Sequence, residues 1–332
     1  MLKNSAAELD VTVIIPTFNR SKLIARTLNS IRNQTCIPAE VIIIDDASSD
    51  STPAAAQRWA EENDFPVTVE ALSTNSGPAK ARNHGILKAR TRYIAFLDSD
   101  DEHLPNTLER LIAPLEKIPD AVLSFADATI VTPSSNEVHG LFRPNINLEI
   151  DTKPEPLAGL GVHALLNATD TLLKASIIPT SATCFRREAA LAAGLMPDRL
   201  RSGEDWIFWL RLSKQGRFIF QLDDLALHHR HDENLTQANA AELMAREKLR
   251  GFLGLLDGSL GVSLNSEQSD RINQLCKERV KIWRYHLSRL GLKTYLSGLS
   301  NDLGKSTGNM TTHLFTDPKS LLRSILRSFP TT

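Results

Sequence analysis

"YIAFLDSDD", Tyr93–Asp101, joins an apolar run to a charge cluster with nothing between them. A continuous apolar run is the mark of a strand covered on both faces, and such strands belong to parallel sheets under helices. This one leads directly into three carboxylates, Asp98, Asp100 and Asp101, within four positions. Carboxylates so close repel one another, and their proton affinities rise unless positive charge compensates. A helix start is served by a single acidic residue. Three after a buried strand point instead to a divalent cation or a nucleotide. Mg2+ or Mn2+ suits hard oxygen ligands and keeps positions open for phosphates.

The same pattern recurs on either side. "VTVIIPT" (Val11–Thr17), "VIIID" (Val41–Asp45), "PVTVEAL" (Pro66–Leu72) and "AVLSFADATIV" (Ala121–Val131) read as further strands. Helical patterns separate them. Leu23, Ile24, Thr27, Leu28 and Ile31 share one face. A second helix runs from Asp50 or Ser51 as N-cap to about Asn63. A third covers Ala79–Lys88, and a fourth covers Asn106–Lys117 behind Pro105. Strands alternating with helices predict a doubly wound α/β unit with a mainly parallel sheet. Ligands in such folds sit beyond the carboxyl ends of the strands. Thr17, Asp45, Asp46, Ser73 and the Asp98–Asp101 cluster all fall there, so polar residues gather along one rim.

Beyond Pro133 the pattern weakens, and a loop or hairpin is expected to Leu160. "SATCFRREAALAAGL" reads as strand then helix. "SGEDWIFWLRLSKQG" reads as an amphipathic helix closed by Gly216. "RFIFQLD" and "LALHHRH" read as two strands. From Asn239 to about Leu290 the chain is helical, with a break near "LDGSLGVSLNSE"; residues 291–332 are weakly specified.

With 332 residues, 42% of them hydrophobic, there is material for one large domain with or without a smaller companion. A net charge of −1 gives no whole-molecule field for nucleic acid. Cys36, Cys184 and Cys276 are far apart and in no CxxC spacing, which argues against a disulfide framework or a zinc site and fits a reducing compartment. "MLKNSAAELD" lacks an apolar signal core, and no run of about 18 apolar residues occurs. A cytoplasmic protein is the expectation. Residues 281–332 carry eight basic and two acidic residues, a surplus of six positive charges. That is a solvated helical tail or a contact with an anionic membrane face or acidic partner.

Other groups could carry chemistry. Asp45 and Asp46 repeat the strand-end arrangement and can accept from a ribose or a base. Lys80 and Arg82 follow a Gly-Pro turn and could face a pyrophosphate. Glu204 and Asp205 open a helix, where one could serve as a general base. "HHRHDEN" holds His228, His229 and His231. On a strand the last two share a face, and one could bind a metal.

Taken together, "VTVIIPTFNR", "VIIIDDASSDST", "NSGPAKARNHGI", "YIAFLDSDD" and "GEDWIFWLRL" resemble the family 2 inverting glycosyltransferases of the GT-A fold. The resemblance covers about Asp10 to Thr236. It implies a catalytic domain over residues 1–236 and a helical extension over 237–332. It implies that Pro16, Thr17 and Phe18 line the base pocket, with Asp46 on the base and Asn75, Gly77, Arg82, Asp98 and Ser99 also at the nucleotide. Asp100 and His231 would hold Mg2+ or Mn2+. Asp205 would be the catalytic base, with Glu204 and Trp206 on the acceptor side. Asp101 is expected to do no more than start a helix. His228–His229 departs from the Tyr-Arg of many relatives, which leaves contacts there open. The implied reaction moves a sugar from a nucleotide-sugar, UDP-sugar favoured, to a hydroxyl of a glycan or lipid-linked acceptor. Two other functions fit the pattern less well. A sugar-1-phosphate nucleotidyltransferase would need a glycine-rich first loop, which "PTFNR" lacks. A non-catalytic scaffold would not need the full set of carboxylates.

Overall fold

Along Glu8–Thr17 (β1) successive side chains point to opposite faces, and every residue from Val11 to Thr17 is buried. A strand buried on both faces needs a neighbour on each edge and a helical layer on each side. The computed structural model supplies both; it describes residues 8–132, 137–138, 145–157, 161–230, 241–302 and 317–328. Strand Ile37–Asp45 (β2) pairs with β1 in parallel, and Thr68–Ala71 (β3) continues beyond it. Tyr93–Phe96 (β4) pairs in parallel with the other edge of β1.

Helices Ile24–Arg32 (α1), Thr52–Asn63 (α2) and Thr107–Lys117 (α4) cover the face to which Val11, Val13 and Ile15 point. Helix Pro78–Lys88 (α3) covers the opposite face. It lies so close to β1 that a Cβ on Gly85 would stand 2.5 Å from Ile14 Cγ2.

The second half of the sheet is mixed. Glu102–His103 (β5), Ala121–Val131 (β6), Glu137–Val138 (β7), Thr152–Pro154 (β8), Val162–Leu165 (β9), Thr183–Arg186 (β10) and Arg217–His229 (β11) complete the order β3-β2-β1-β4-β10-β6-β11-β9-β8, with β5 on β11 and β7 on β6. The strand beside β4 is β10, antiparallel to both β4 and β6. A strand was expected in this stretch, but its place between β4 and β6 was not legible, because Thr183–Arg186 is short and pairs with strands far back along the chain. Short helices Leu148–Asp151 (α5), Ala168–Lys174 (α6) and Arg187–Ala193 (α7) connect these strands. The stretch read as loop or hairpin contains α5 and β8, and β8 pairs antiparallel with β9.

Three expectations are corrected. "RFIFQLD" and "LALHHRH" form one strand, since both halves pair with β6 across register shifts at Phe220, Asp224 and Ala226. Helix Glu204–Leu212 (α8) is buried almost all round rather than amphipathic, with Phe208 and Trp209 against Phe185 and Trp209 also near Phe96. It ends at Leu212 with Ser213 as its cap. Gly216 serves a different need: a Cβ there would meet the Asp120 carbonyl at 2.6 Å.

The chain divides into two compact units, Met1–His231 and Asp232–Thr332. The second contains Ala241–Leu256 (α9), Ser266–Ser288 (α10), Leu292–Asp302 (α11) and Pro318–Leu326 (α12). The break between α9 and α10 falls where the sequence placed it. Asn265 then restarts the helix with a capping box: its side chain accepts from Gln268 N at 2.8 Å, and Gln268 Oε1 accepts from Asn265 N at 3.0 Å. Among the described residues no helix is long and apolar enough to cross a membrane.

Candidate active site

The strand ends bring the expected residues together in two linked groups. The first lies where β1, β2 and the start of α3 meet. Asp46 N donates to the Thr17 carbonyl at 2.8 Å, which ties Pro16–Phe18 to the end of β2. Both oxygens of the Asp46 carboxylate accept backbone N–H groups, from Ser76 and Gly77, each at 2.7 Å. Asn75 Nδ2 donates to the Asp46 carbonyl at 3.2 Å. Gly77, at φ +90°, turns the chain from this loop into α3, a backbone state that other residues rarely adopt. Phe18 is 42% exposed at the rim. Thr17 Oγ1 is buried without a hydrogen-bond partner. Asp45 is buried and accepts from Ser48 N at 2.9 Å and from Ser48 Oγ at 2.5 Å, which braces the loop before α2.

The second group centres on Arg82, just over one turn into α3. Its guanidinium Nη2 lies 2.5 Å from Asp98 Oδ1, and Nη1 lies 3.1 Å from Glu204 Oε1. The Phe96 ring lies beneath it, 5.6 Å from Cζ to the centroid. Burial works against the Arg82 charge, but Asp98 and Glu204 outweigh it and raise its pKa. Glu204 is buried and is pushed up to about 7, first by burial and then by the charge of Asp205, with Arg82 opposing. Asp205, beside it, accepts from Thr180 Oγ1 at 3.2 Å and from Trp206 N at 2.7 Å. The Trp206 indole faces inward and donates to the Leu172 carbonyl at 2.8 Å.

A short helical turn, Thr180–Ala182, joins the two carboxylate positions. Thr180 holds Asp205, and the next residue holds the charge cluster. Ser181 Oγ accepts from Asp98 N at 3.1 Å and donates to Asp101 at 2.6 Å. Asp101 is therefore no helix-start residue, and the next helix begins only at Thr107. It is buried beneath the cluster, with His228 Nδ1 3.2 Å from its carboxylate and His229 N donating to it at 3.2 Å. Burial raises the Asp101 pKa; the hydrogen bond to Asp101 raises that of His228. Ser99 is buried, and its carbonyl accepts from Thr27 at 3.0 Å. Asp100 turns to another cation: its carboxylate lies 3.5 Å from Arg20 Nε, and its carbonyl accepts from Arg26 at 2.6 Å.

Sequence reading missed Arg20, Thr180 and Ser181 as parts of this site. The signal was thin: an arginine at the end of "PTFNR" and two hydroxyls after Pro179. Expected metal ligand His231 lies outside the described residues. Among the described residues no group of three His, Cys, Asp or Glu side chains gathers to hold a metal ion. The donors that are present, two half-buried carboxylates at the end of one strand, are hard oxygen ligands. That chemistry fits Mg2+ or Mn2+ completed by phosphate oxygens and water.

Residues 12–165 match the family model described as Glycosyl transferase family 2. The succinoglycan biosynthesis protein ExoO of Rhizobium meliloti (strain 1021) is 43% identical over 103 residues, covering 31% of this chain and 29% of that protein. The putative teichuronic acid biosynthesis glycosyltransferase TuaG of Bacillus subtilis (strain 168) is 28% identical over 233 residues, covering 69% and 82%. The poly(ribitol-phosphate) beta-N-acetylglucosaminyltransferase TarS of Staphylococcus aureus (strain Mu50 / ATCC 700699) is 30% identical over 236 residues, covering 68% and 37%. The chain thus spans most of TuaG but well under half of ExoO and TarS. In structure it resembles S. aureus TarS 1-349 in complex with UDP-GlcNAc, with a TM-score of 0.64 at 19% identity over 96% of this chain and 89% of that one. The mannosyltransferase PcManGT of Pyrobaculum calidifontis in complex with GDP-Man and Mn2+ gives 0.55 at 17% identity, over 96% and 86%. The likeness to these glycosyltransferase structures shows the fold to be of the GT-A type.

Proposed function

We propose that this chain, whose residues 12–165 match glycosyl transferase family 2, carries out a metal-dependent inverting transfer of a sugar from a nucleotide-sugar to a hydroxyl of a glycan or lipid-linked acceptor. A UDP-sugar is the favoured donor, in keeping with the UDP-GlcNAc bound by TarS. The observation that carries the reading is the Thr180–Ser181 turn. Thr180 holds the carboxylate of a candidate base, Asp205, and the next residue, Ser181, holds the backbone N–H of Asp98 and the carboxylate of Asp101.

In this reading Phe18 stacks on the base while Pro16 and Asp46 border it, with Asn75 and Gly77 alongside. The buried, unpartnered Thr17 hydroxyl supports it, since buried polar atoms are nearly always satisfied and a ligand can complete this one. Arg82, Asp98 and Ser99 stand at the ribose and diphosphate. Asp100, with His231, would hold Mg2+ or Mn2+, whose charge stabilises the leaving diphosphate. Asp205 takes the proton of the acceptor hydroxyl as its oxygen attacks the anomeric carbon. The bond from that carbon to the β-phosphate oxygen breaks, and the nucleoside diphosphate leaves from the opposite face. Thr180 and Trp206 N use part of the acceptor capacity of Asp205, and a carboxylate has more to offer. Glu204 and Trp206 border the acceptor side. The reaction runs in the cytoplasm, with the basic C-terminal region against the membrane face.

Nucleotide release from a panel of UDP-, GDP- and dTDP-sugars with Mn2+ tests this. Release should depend on the cation. Asp205→Asn should lower turnover by about 10²-fold or more while the protein is still stabilised thermally by UDP. Wild-type turnover in Asp205→Asn would overturn the base assignment, and no stabilisation of the wild type by UDP with Mn2+ would favour a non-catalytic scaffold.

A further inference from the structure

Helix α12 faces its unit with the wrong side for an ordinary amphipathic helix. Its buried residues are Ser320 and Ser324, one turn apart. Leu322 and Leu326 point away, 58% and 65% exposed. The small serines let the helix lie close against its neighbours. Arg323 Nη1 donates to Ser288 Oγ at 3.1 Å, and its guanidinium lies 4.4 Å from the centroid of the Tyr285 ring on α10. Ser328 Oγ, just beyond α12, accepts from Leu292 N at 2.7 Å.

The Arg323–Tyr285 contact joins the outer face of α12 to the end of α10. There Ile282 and Tyr285 are 40% and 44% exposed, one turn apart on one stripe. Four large apolar side chains thus stand outward on two adjoining helices. Lys319 and Arg327 flank the leucines; Lys281 and Arg289 flank the α10 residues; all four are exposed. None of these four has an ion-pair partner among the described residues. The acidic Asp317 is drawn inward, where it caps α12 and lies 3.8 Å from buried Arg284. Glu278, exposed one turn back along the same stripe of α10, sets one carboxylate against these cations.

We propose that this face of α10 and α12 lies on an anionic lipid surface, with the leucines, Ile282 and Tyr285 in the interfacial layer and the cations among the headgroups. Outward leucines on a helix with basic flanks are the pattern of a helix in the plane of an interface. Charge decides against a second copy of the chain as occupant, because self-pairing would set like cations against one another. The surface deepens the membrane contact of the function proposed above, yet it does not depend on donor, cation or turnover.

The test uses the full chain and vesicles, and no sugar. The wild type should co-sediment with vesicles rich in phosphatidylglycerol and not with pure phosphatidylcholine, and added salt should weaken the binding. Leu322→Gln with Leu326→Gln should lower partitioning about tenfold or more. Lys319→Glu with Arg327→Glu should lower it by about fivefold or more for each cation removed. Melting temperatures should match the wild type, since all four side chains are exposed. The proposal falls if the wild type ignores phosphatidylglycerol vesicles at low salt, or if both double variants bind as the wild type does. It falls equally if the leucine variant abolishes self-association of a protein that ignores vesicles.

Discussion

Arg82 is the residue on which the two carboxylate positions depend. One guanidinium bridges Asp98 and Glu204, and Glu204 is buried. Removing one partner of a buried ion pair leaves an uncompensated charge, so Arg82→Met should cost about 3 kcal/mol or more, read by urea unfolding. Arg82→Lys should recover only part of that, because an ammonium cannot bridge two carboxylates with a fork of donors. A Met variant that unfolds at the wild-type urea concentration would show that the bridge contributes little. The sequence marked Arg82 as a candidate from its position after the Gly-Pro turn. It could not show which way the guanidinium points, because Glu204 is 122 positions away. Asp101 was misread for the same reason: its partners Ser181 and His228 are 80 and 127 positions distant.

At the scale of elements, periodicity carried most of the information where strands are buried and helices follow directly. β1, β2 and β4 were legible from continuous apolar runs and α1 and α4 from a clear 3.6-residue stripe, while α2 and α3 were legible from the cap and Gly-Pro turn that open them. The reading of α8 as amphipathic failed because a helix in the interior has no polar face to reveal. Close crossings between elements are equally invisible. Helix α3 passes β1 at Gly85, where Ile14 is fully buried and cannot swing away. Gly85→Ala would gain helix propensity of about 1 kcal/mol, but a methyl at 2.5 Å from Ile14 Cγ2 must displace the helix. A net loss of about 1–2 kcal/mol is expected. A thermal melt that rises in Gly85→Ala would contradict the close packing of α3 on the sheet.

At the scale of the whole molecule, two buried groups oppose each other in the pH dependence of stability. Burial lowers the His103 pKa from 6.5 to about 4. Between those values the unfolded chain binds a proton that the folded chain does not, so stability is lost as pH falls through that window. Glu204 is raised from 4.5 to about 7, so the folded chain binds the extra proton and stability grows as pH falls between those values. Each effect amounts to at most about 1.4 kcal/mol per pH unit. Relative to the wild type, His103→Gln should therefore gain melting temperature on going from pH 7 to pH 5, and Glu204→Gln should lose it. Parallel profiles for all three proteins would show that neither group titrates as described. The sequence by itself determined the α/β alternation, the polar rim at the strand ends and the break between α9 and α10. These follow from local periodicity and turn chemistry, which act over a few residues. Only the tertiary structure decided the antiparallel insertion of β10, the Thr180–Ser181 turn that joins Asp205 to the charge cluster, the burial of Asp101, and the outward leucines of α12. Each depends on which distant segments meet, and that is set by packing over the whole chain rather than by any local pattern.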